Sequence, residues 1–183
     1  RRQRQMCIRD RVYAVAIDNG YSPAFTLLNQ KFNYNGWSPD NANNEYGGYM
    51  TLRKGLAYSV NVIAGRLTIG SVAPPEQVIK FAKRMGIQSQ LNPYPSIALG
   101  TSEVSPLELT SAFGVFANNG LYFNPISILR IEDKNGILIA DFLPEYREAL
   151  SPQTASVMAD MLQDLSLIHI SEPTRLLSIS YAV

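Results

Sequence analysis

The sequence has 183 residues, of which 46% are hydrophobic and 17% charged, and its formal net charge is +1, so it predicts one soluble globular domain with a sizeable core. The only Cys and the only His lie in the terminal segments, which excludes a disulfide framework, a Cys nucleophile, a His general base and the usual zinc ligand sets from the interior. No apolar run reaches the length needed to span a bilayer, and no signal peptide is recognisable.

The two ends of the chain differ in character from the interior. Residues 1–11, RRQRQMCIRDR, carry five Arg and the Cys, and residues 165–183, LSLIHISEPTRLLSISYAV, carry the His. Both strings resemble translated sequencing-adapter read-through, and neither continues the hydrophobic periodicity beside it. We therefore expect non-native segments at 1–11 and 165–183 and predict the fold from residues 12–164. The alternative is a basic tail that binds nucleic acid and a C-terminal amphipathic segment.

The charge of the interior argues against that alternative. Residues 1–11 carry a net charge of +4 and residues 165–183 are neutral, so residues 12–164 carry a net charge of −3. The basic character belongs to the first segment alone. The sequence therefore predicts no nucleic-acid partner.

The first predicted elements are a helix end and a long loop. Residues 12–17, VYAVAI, predict the last turns of a helix that stops at Asp18-Asn19-Gly20. Residues 29–49 are rich in Asn and Gly, contain the only Trp, Trp37, and show no convincing period. A loop of this length either borders a functional site or is a surface excursion.

A pair of short helices follows, joined by polar residues. Thr51 is a candidate N-cap for the first helix, and residues 62–69, VIAGRLTI, predict the second. Between them lie Ser59, Val60 and Asn61. Because Ser and Asn side chains compete for backbone hydrogen bonds, they predict a helix-to-helix junction at this point.

The rest of the interior predicts three helices and one hairpin. One helix runs from Pro75 to about Met85, and another follows Ser105, which with Glu108 forms a capping box. Asn135-Gly136 predicts a β-hairpin turn, and the last helix begins at Ser151-Pro152. The predicted inward-facing residues are Val78, Phe81, Ala82, Met85, Leu109, Ala112, Phe113, Phe116, Ala155, Met158, Met161 and Leu162. The fold class is α+β, a mostly helical lobe with one hairpin.

Three stretches follow one another along the chain: WSPDN at 37–41, TLRKGLAYSVNVIA at 51–64, which contains the Ser59-x-Asn61 motif, and ALGTSEVSPLELTSAFGVFANNG at 98–120. In this order they resemble the transpeptidase domain of bifunctional, class A penicillin-binding proteins. Ser-x-Asn alone is a weak signal, whereas the long string at 98–120 is highly specific. The resemblance covers nearly all of residues 12–164.

The resemblance implies a fold, a reaction and a set of site residues. The fold is that of penicillin-binding proteins and serine β-lactamases, with most of the central sheet missing here. The reaction is D,D-transpeptidation, in which a serine acyl-enzyme cross-links peptidoglycan stem peptides and binds penicillin. By resemblance Ser59 relays a proton, Asn61 hydrogen-bonds the bound stem peptide, and Trp37 forms a cleft wall. The alternative for Ser59 and Asn61 is that they only cap the two helices, and the alternative for Trp37 is an anchor between loop and core.

The same resemblance implies the surroundings of the protein. It predicts stem peptides and β-lactams as ligands and no cofactor or metal, and it leaves protein partners unknown. It places the domain on the periplasmic side of the bacterial inner membrane, with the membrane anchor outside these residues. An acid pair of Glu103 and Glu108 is the weaker interpretation, because capping explains Glu108.

Two motifs of the family are absent from the sequence. No Ser-x-x-Lys or Lys-Thr-Gly occurs in the 183 residues, and the family places them just before Val12 and after the helix that begins at Ser151. We therefore expect a domain that is truncated at both ends and inactive. The alternatives are a D,D-carboxypeptidase or β-lactamase of the same fold, in which water replaces the acceptor amine, and a noncatalytic helical module that binds a partner or senses β-lactams.

Overall fold

The computed structural model describes residues 2–42 and 44–169, which form helices joined by three short antiparallel strand pairs. The elements in chain order are α1 (Arg2–Asp18), β1 (Thr26–Leu28), β2 (Tyr49–Thr51), α2 (Leu52–Ala57), α3 (Asn61–Ile69), α4 (Pro75–Arg84), a 3-10 helix (Pro95–Leu99), α5 (Pro106–Ala117), β3 (Leu121–Phe123), β4 (Arg130–Glu132), β5 (Leu138–Asp141), β6 (Tyr146–Glu148) and α6 (Pro152–His169).

Helix α1 lies at the centre of the helical core. It packs against α3, α4, α6 and the 3-10 helix, and its residues 12–16 are fully buried. A helix in contact with several others loses its solvent-facing side, which explains why residues 12–17 are apolar without an amphipathic pattern. None of the helices within the described residues is long and apolar enough to cross a membrane.

The helix α1 extends further toward the N-terminus than the sequence pattern predicted. Ile8, Val12 and Val15 are all buried and follow the i, i+4, i+7 spacing of a helix face, so the apolar period continues into the first segment. The helix ends at Asp18, and Gly20 has the predicted left-handed conformation, with φ of +86°. The assignment of residues 1–11 to a non-native segment stays a prediction. Of the second predicted segment, 165–183, the part from residue 170 lies outside the described residues.

Most predicted helix signals are confirmed. The Thr51 side chain accepts a hydrogen bond from the Lys54 backbone N–H at the start of α2, and Ser105 with Glu108 forms the capping box of α5. The predicted inward-facing residues are buried, except that Leu109, Phe113 and Leu162 are partly buried. The junction between α2 and α3 lies at residues 58–60, as predicted.

The strands differ from the prediction of one hairpin. The predicted hairpin, β4 with β5, is present, and two further antiparallel pairs join β1 to β2 and β3 to β6. Each added strand has three residues, too few for a period-2 pattern to stand out in the sequence. The α+β class is confirmed, with three strand pairs in the described residues in place of one.

The carboxylate of Glu108 connects the start of α5 to the loop that follows α4. Its oxygens accept hydrogen bonds from the Ser89 hydroxyl at 2.6 Å, the Ser89 and Gln88 backbone N–H groups at 3.0 and 2.9 Å, and the Ser105 N–H at 3.0 Å. The hydrogen bond from the Ser89 side chain, with the backbone donors, lowers the pKa of Glu108 to about 2. A carboxyl group held in the charged form is a structural acceptor, which opposes a paired-acid mechanism with Glu103.

We predict that Glu108→Gln makes the protein less stable at pH 7 by about 1–2 kcal/mol, because the amide replaces a charged acceptor by a neutral one. The folded pKa lies below the ordinary value of 4.5, so this stabilisation is present above about pH 4.5 and is lost as the pH falls toward 2. Urea unfolding of both proteins between pH 7 and 3 measures it, with the exposed Glu103→Gln as the control. A difference that stays constant over this range contradicts the prediction.

Candidate functional site

The junction between α2 and α3 presents a hydroxyl and an amide side by side. Helix α2 ends with Tyr58 as its C-cap, Ser59 turns the chain with a φ of +54°, and Asn61 is the first residue of α3. A positive φ at a residue with a side chain is unfavourable and persists only where the surroundings fix it. Here the Ser59 and Val60 N–H groups are held by the carbonyl oxygens of Leu56 and Gly55.

Close packing of the two helices fixes this junction. A Cβ atom at Gly55 would lie 2.6 Å from Cγ2 of Ile63 and 3.0 Å from the Tyr13 hydroxyl oxygen. Only glycine therefore lets α2 approach α3 and α1 this closely. The Ser59 and Asn61 side chains, both half-buried, extend from a rigid turn.

A guanidinium group from α1 connects the two side chains. Arg9 Nη1 donates to the backbone oxygen of Ser59 at 2.7 Å and to its Oγ, and Arg9 Nη2 donates to Asn61 Oδ1 at 2.6 Å. Arg9 is 5% exposed, and burial lowers its pKa from the ordinary value. The acceptor atoms of Ser59 and Asn61 thus converge on one buried cation.

Both the oxygen and the nitrogen of the Asn61 side-chain amide form hydrogen bonds. Its Oδ1 accepts from Arg9, and its Nδ2 donates to the Asp40 backbone oxygen at 2.7 Å. Since an amide has two N–H groups and two acceptor lone pairs, one donor and one acceptor position remain for a ligand. The Ser59 hydroxyl, which accepts from Arg9, keeps its own proton available for donation.

The loop before α2 supports Asn61 through Asn41. Buried Asn41 accepts the Val62 backbone N–H with Oδ1 at 3.1 Å and so caps α3, which has no cap from Val60. Its Nδ2 donates to Asn29 Oδ1 at 2.9 Å and to the Glu45 oxygen at 2.8 Å. Three bonds from one buried amide connect the loop to the helix that carries Asn61.

Two contacts of its side chain hold the neighbouring Asp40 in position. Its carboxylate forms an ion pair with Lys31 at 2.9 Å and accepts from the Tyr46 hydroxyl at 2.7 Å. The Lys31 ammonium holds the pKa of Asp40 below its ordinary value. These exposed contacts set the position of the carbonyl that binds Asn61.

The indole of Trp37 packs on α3, one turn after Asn61. A Cβ atom on Gly65 would lie 3.1 Å from Trp37 Cη2 and 3.1 Å from Phe32 Cζ. The Trp37 and Phe32 rings meet edge to face, 5.9 Å between centroids. Trp37 therefore anchors the loop to α3, and its role as a cleft wall stays a prediction.

Three consecutive charged residues of α1 are buried beside the site. Arg9, Asp10 and Arg11 are at most 5% exposed, which is rare for charged side chains. Burial raises the pKa of Asp10 to about 6, against the opposing effect of the Arg11 and Arg9 charges. The Arg11 guanidinium lies over the Phe113 ring of α5, 4.7 Å from its centroid.

The structure places Ser59 and Asn61 at the junction between α2 and α3, and the loop residue Trp37 packs against α3 one turn after Asn61. Sequence reasoning missed Arg9, because it set aside residues 1–11, and it quoted Asn41 without a role. The spacing of Ile8, Val12 and Val15 could have extended α1 far enough to include Arg9. Among residues 2–42 and 44–169, no three His, Cys, Asp or Glu side chains are grouped so as to hold a metal ion.

Comparisons with known proteins point to one family over most of the chain. The sequence model of the family described as penicillin binding protein transpeptidase domain matches residues 11–166. Penicillin-binding protein 1A of Aquifex aeolicus is 40% identical over 133 residues, which cover 72% of this chain and 18% of that protein. Penicillin-binding protein 2D of Bacillus subtilis is 30% identical over 171 residues, 88% of this chain and 24% of that protein.

Solved structures show the same fold. The crystal structure of penicillin-binding protein 1A from Haemophilus influenzae has a TM-score of 0.70 and 30% identity, over 78% of this chain and 22% of that chain. The imipenem acyl-enzyme complex of penicillin-binding protein A from M. tuberculosis has a TM-score of 0.84 at 16% identity, over 93% and 46%. The chain spans about a fifth of the length of the curated relatives named above.

Proposed function

Because this chain belongs to the penicillin binding protein transpeptidase domain family, we propose that Ser59 and Asn61 belong to the peptide- and β-lactam-binding site of a class A D,D-transpeptidase. The observation that carries the proposal is the fixed turn between α2 and α3, which presents the Ser59 hydroxyl and the Asn61 amide together toward α1, where Arg9 contacts both side chains. Both side chains contact the same guanidinium group, so they lie close enough together to bind one peptide backbone.

The contacts of the two residues fit different roles in acyl transfer. The Ser59 hydroxyl accepts a hydrogen bond from a cation and keeps a proton to donate, so it relays a proton from the Ser-x-x-Lys side to the leaving amine during acylation and takes one from the attacking amine during acyl transfer. The free donor and acceptor positions of the Asn61 amide pair with the C=O and N–H groups of a stem peptide. Trp37, whose ring packs on α3 at Gly65, forms the wall beside Asn61.

The family reaction also requires a nucleophilic serine and the Lys-Thr-Gly strand, and neither motif occurs in the 183 residues. At the position where α1 contacts Ser59, the cation is Arg9, and the residue three before it is Met6, which has no nucleophilic hydroxyl. We therefore propose that this polypeptide forms no acyl-enzyme. We further propose that the family activity lies on the periplasmic side of the bacterial inner membrane and uses stem peptides as substrates, which the match to penicillin-binding protein transpeptidase domains supports.

The first test is labelling of the purified chain with a fluorescent penicillin. We expect no covalent band after denaturing electrophoresis, because no serine of the acyl-forming motif is present. A labelled band that unlabelled penicillin abolishes contradicts the proposal.

The second test concerns the roles of Ser59 and Asn61 themselves. Long-read sequencing of the source DNA across both ends of residues 12–164 would give the natural flanking sequence, and we expect Ser-x-x-Lys before Val12 and Lys-Thr-Gly after Asp164. In the protein encoded by that gene, Ser59→Ala should slow penicillin acylation by about 10²-fold or more. Ser127→Ala, at an exposed serine, is the control and should leave the rate unchanged. Equal rates for the two variants contradict the role of Ser59.

A further inference from the structure

The hairpin of β4 and β5 is apolar and exposed, and it forms a two-stranded sheet of its own. Ile131, Ile137, Leu138 and Ile139 are 40%, 63%, 49% and 65% exposed. Among the described residues, neither strand pairs with any strand but its hairpin partner, so each has one unpaired edge. Exposed apolar edges of this kind are templates for pairing with another chain.

The two edges differ in regularity. Ile131 lies opposite Ala140 whereas Glu132 lies opposite Leu138, so Ile139 is an extra residue in β5. Such a bulge bends and twists the strand that contains it and protects its edge from further pairing. Strand β4 contains no extra residue, and its edge is the regular one.

The hydrogen bonds of the hairpin show which backbone groups of β4 face outward. The Leu129 oxygen accepts the Phe142 N–H at 2.8 Å, and the Asp133 N–H donates to the Ile137 oxygen at 2.9 Å. In an antiparallel pair the residues alternate between bonding to the partner strand and facing away from it. The backbone groups of Arg130 and Glu132 therefore face the unpaired edge.

The charges on β4 select one register for a second strand. Arg130 Nε and Glu132 Oε1 form an exposed ion pair at 2.6 Å on one face of the strand. If an antiparallel copy of β4 pairs about a two-fold axis at Ile131, Arg130 lies opposite Glu132 of the second copy and Glu132 opposite its Arg130. Registers centred on residue 130 or 132 would instead oppose two like charges, which is unfavourable.

We propose that the edge of β4 pairs with β4 of a second copy of this chain, in the antiparallel register centred on Ile131. The outward backbone groups of Arg130 and Glu132 form the two hydrogen-bonded pairs of this register. The four charged side chains alternate in sign on one face, and the two Ile131 side chains meet on the other. The proposal rests on the hairpin alone and is independent of the proposed function.

Sedimentation velocity over a concentration series tests this pairing. We expect the wild-type chain to form dimers reversibly at concentrations up to about 1 mM, the range of weak interfaces. Arg130→Glu opposes acidic pairs and Glu132→Arg opposes basic pairs, so each variant should dimerise at least about tenfold more weakly. An equimolar mixture of the two variants restores opposite charges at every pair and should dimerise as well as the wild type.

Two charge reversals away from the hairpin serve as matched controls. Lys83→Glu and Glu103→Arg change the net charge by the same amounts at exposed positions and should leave dimerisation unchanged. The proposal is overturned if the wild type stays monomeric throughout the series. It is equally overturned if association persists in Arg130→Glu, which indicates a different surface or a different partner for the hairpin, or if the mixed variants do not associate.

Discussion

Replacement of Gly120 by alanine is expected to lower the free energy of unfolding by at least about 3 kcal/mol. Gly120 has a φ of +89°, and a Cβ atom there would lie 2.2 Å from the Leu150 backbone oxygen and 2.9 Å from its carbonyl carbon. The Ala149 and Leu150 N–H groups both donate to the Gly120 oxygen, so this backbone is fixed at the approach. The clash cannot be relieved by a side-chain rotation.

The matched control is Gly136→Ala in the hairpin turn. Gly136 has a similar φ of +80°, but nothing lies within 4 Å of its added Cβ atom. Only the conformational strain applies there, and we expect a loss of about 1 kcal/mol. Urea unfolding measures both variants, and equal losses would show that the contact between Gly120 and Leu150 does not determine stability.

Replacement of Asn41 by alanine is expected to cost about 2–4 kcal/mol, the second largest effect. It removes the cap of Val62 at the start of α3 and leaves the side-chain oxygen of Asn29, itself buried, without its donor. The Val62 N–H and the Asn29 side-chain oxygen are then buried without these hydrogen bonds. Because Asn61 begins α3, the same variant should also broaden or shift the Asn61 side-chain amide signals in an NMR spectrum.

Two variants separate the parts of this effect. Asn41→Asp keeps an acceptor for Val62 but loses both donors, so its loss should arise at Asn29 and Glu45 rather than at the helix start. Asn33→Ala, at an exposed residue of the same loop whose side chain accepts only the Gly36 N–H among the described residues, at 3.0 Å, should cost less than 1 kcal/mol. If Asn41→Ala is as mild as Asn33→Ala, the buried network does not hold α3.

The helices were predictable because their signals are local. Thr51, Ser105 and Glu108 act on backbone groups within three residues, and the same positions cap the helices in the structure. The junction at residues 58–60 was predicted from the same local preferences of Ser and Asn, but in the structure the Ser59 and Asn61 side chains bond to Arg9 and the Asp40 carbonyl oxygen rather than to nearby backbone. The order of the motifs also predicted the family, which the match over residues 11–166 confirms.

The strand pairs β1–β2 and β3–β6 were not predictable in this way. Their partners are separated by 20 residues or more, and each strand is three residues long. Such pairs form because the surrounding helices bring the chain segments together. The formation of these strand pairs depends on tertiary contacts, such as that between Gly120 and Leu150, and such contacts leave no local pattern in the sequence.

By itself the sequence determined the α+β class, the family, the caps of α2 and α5 and the helix junction that carries Ser59 and Asn61, because capping, helical periodicity and motif order all act over short distances along the chain. Only the tertiary structure placed Arg9 between those two side chains, Asn41 beneath α3 and Trp37 on Gly65. These contacts join residues 21 to 52 positions apart. Their geometry is set by how α1, the loop and α3 pack, and packing is a property of the whole core rather than of any one segment.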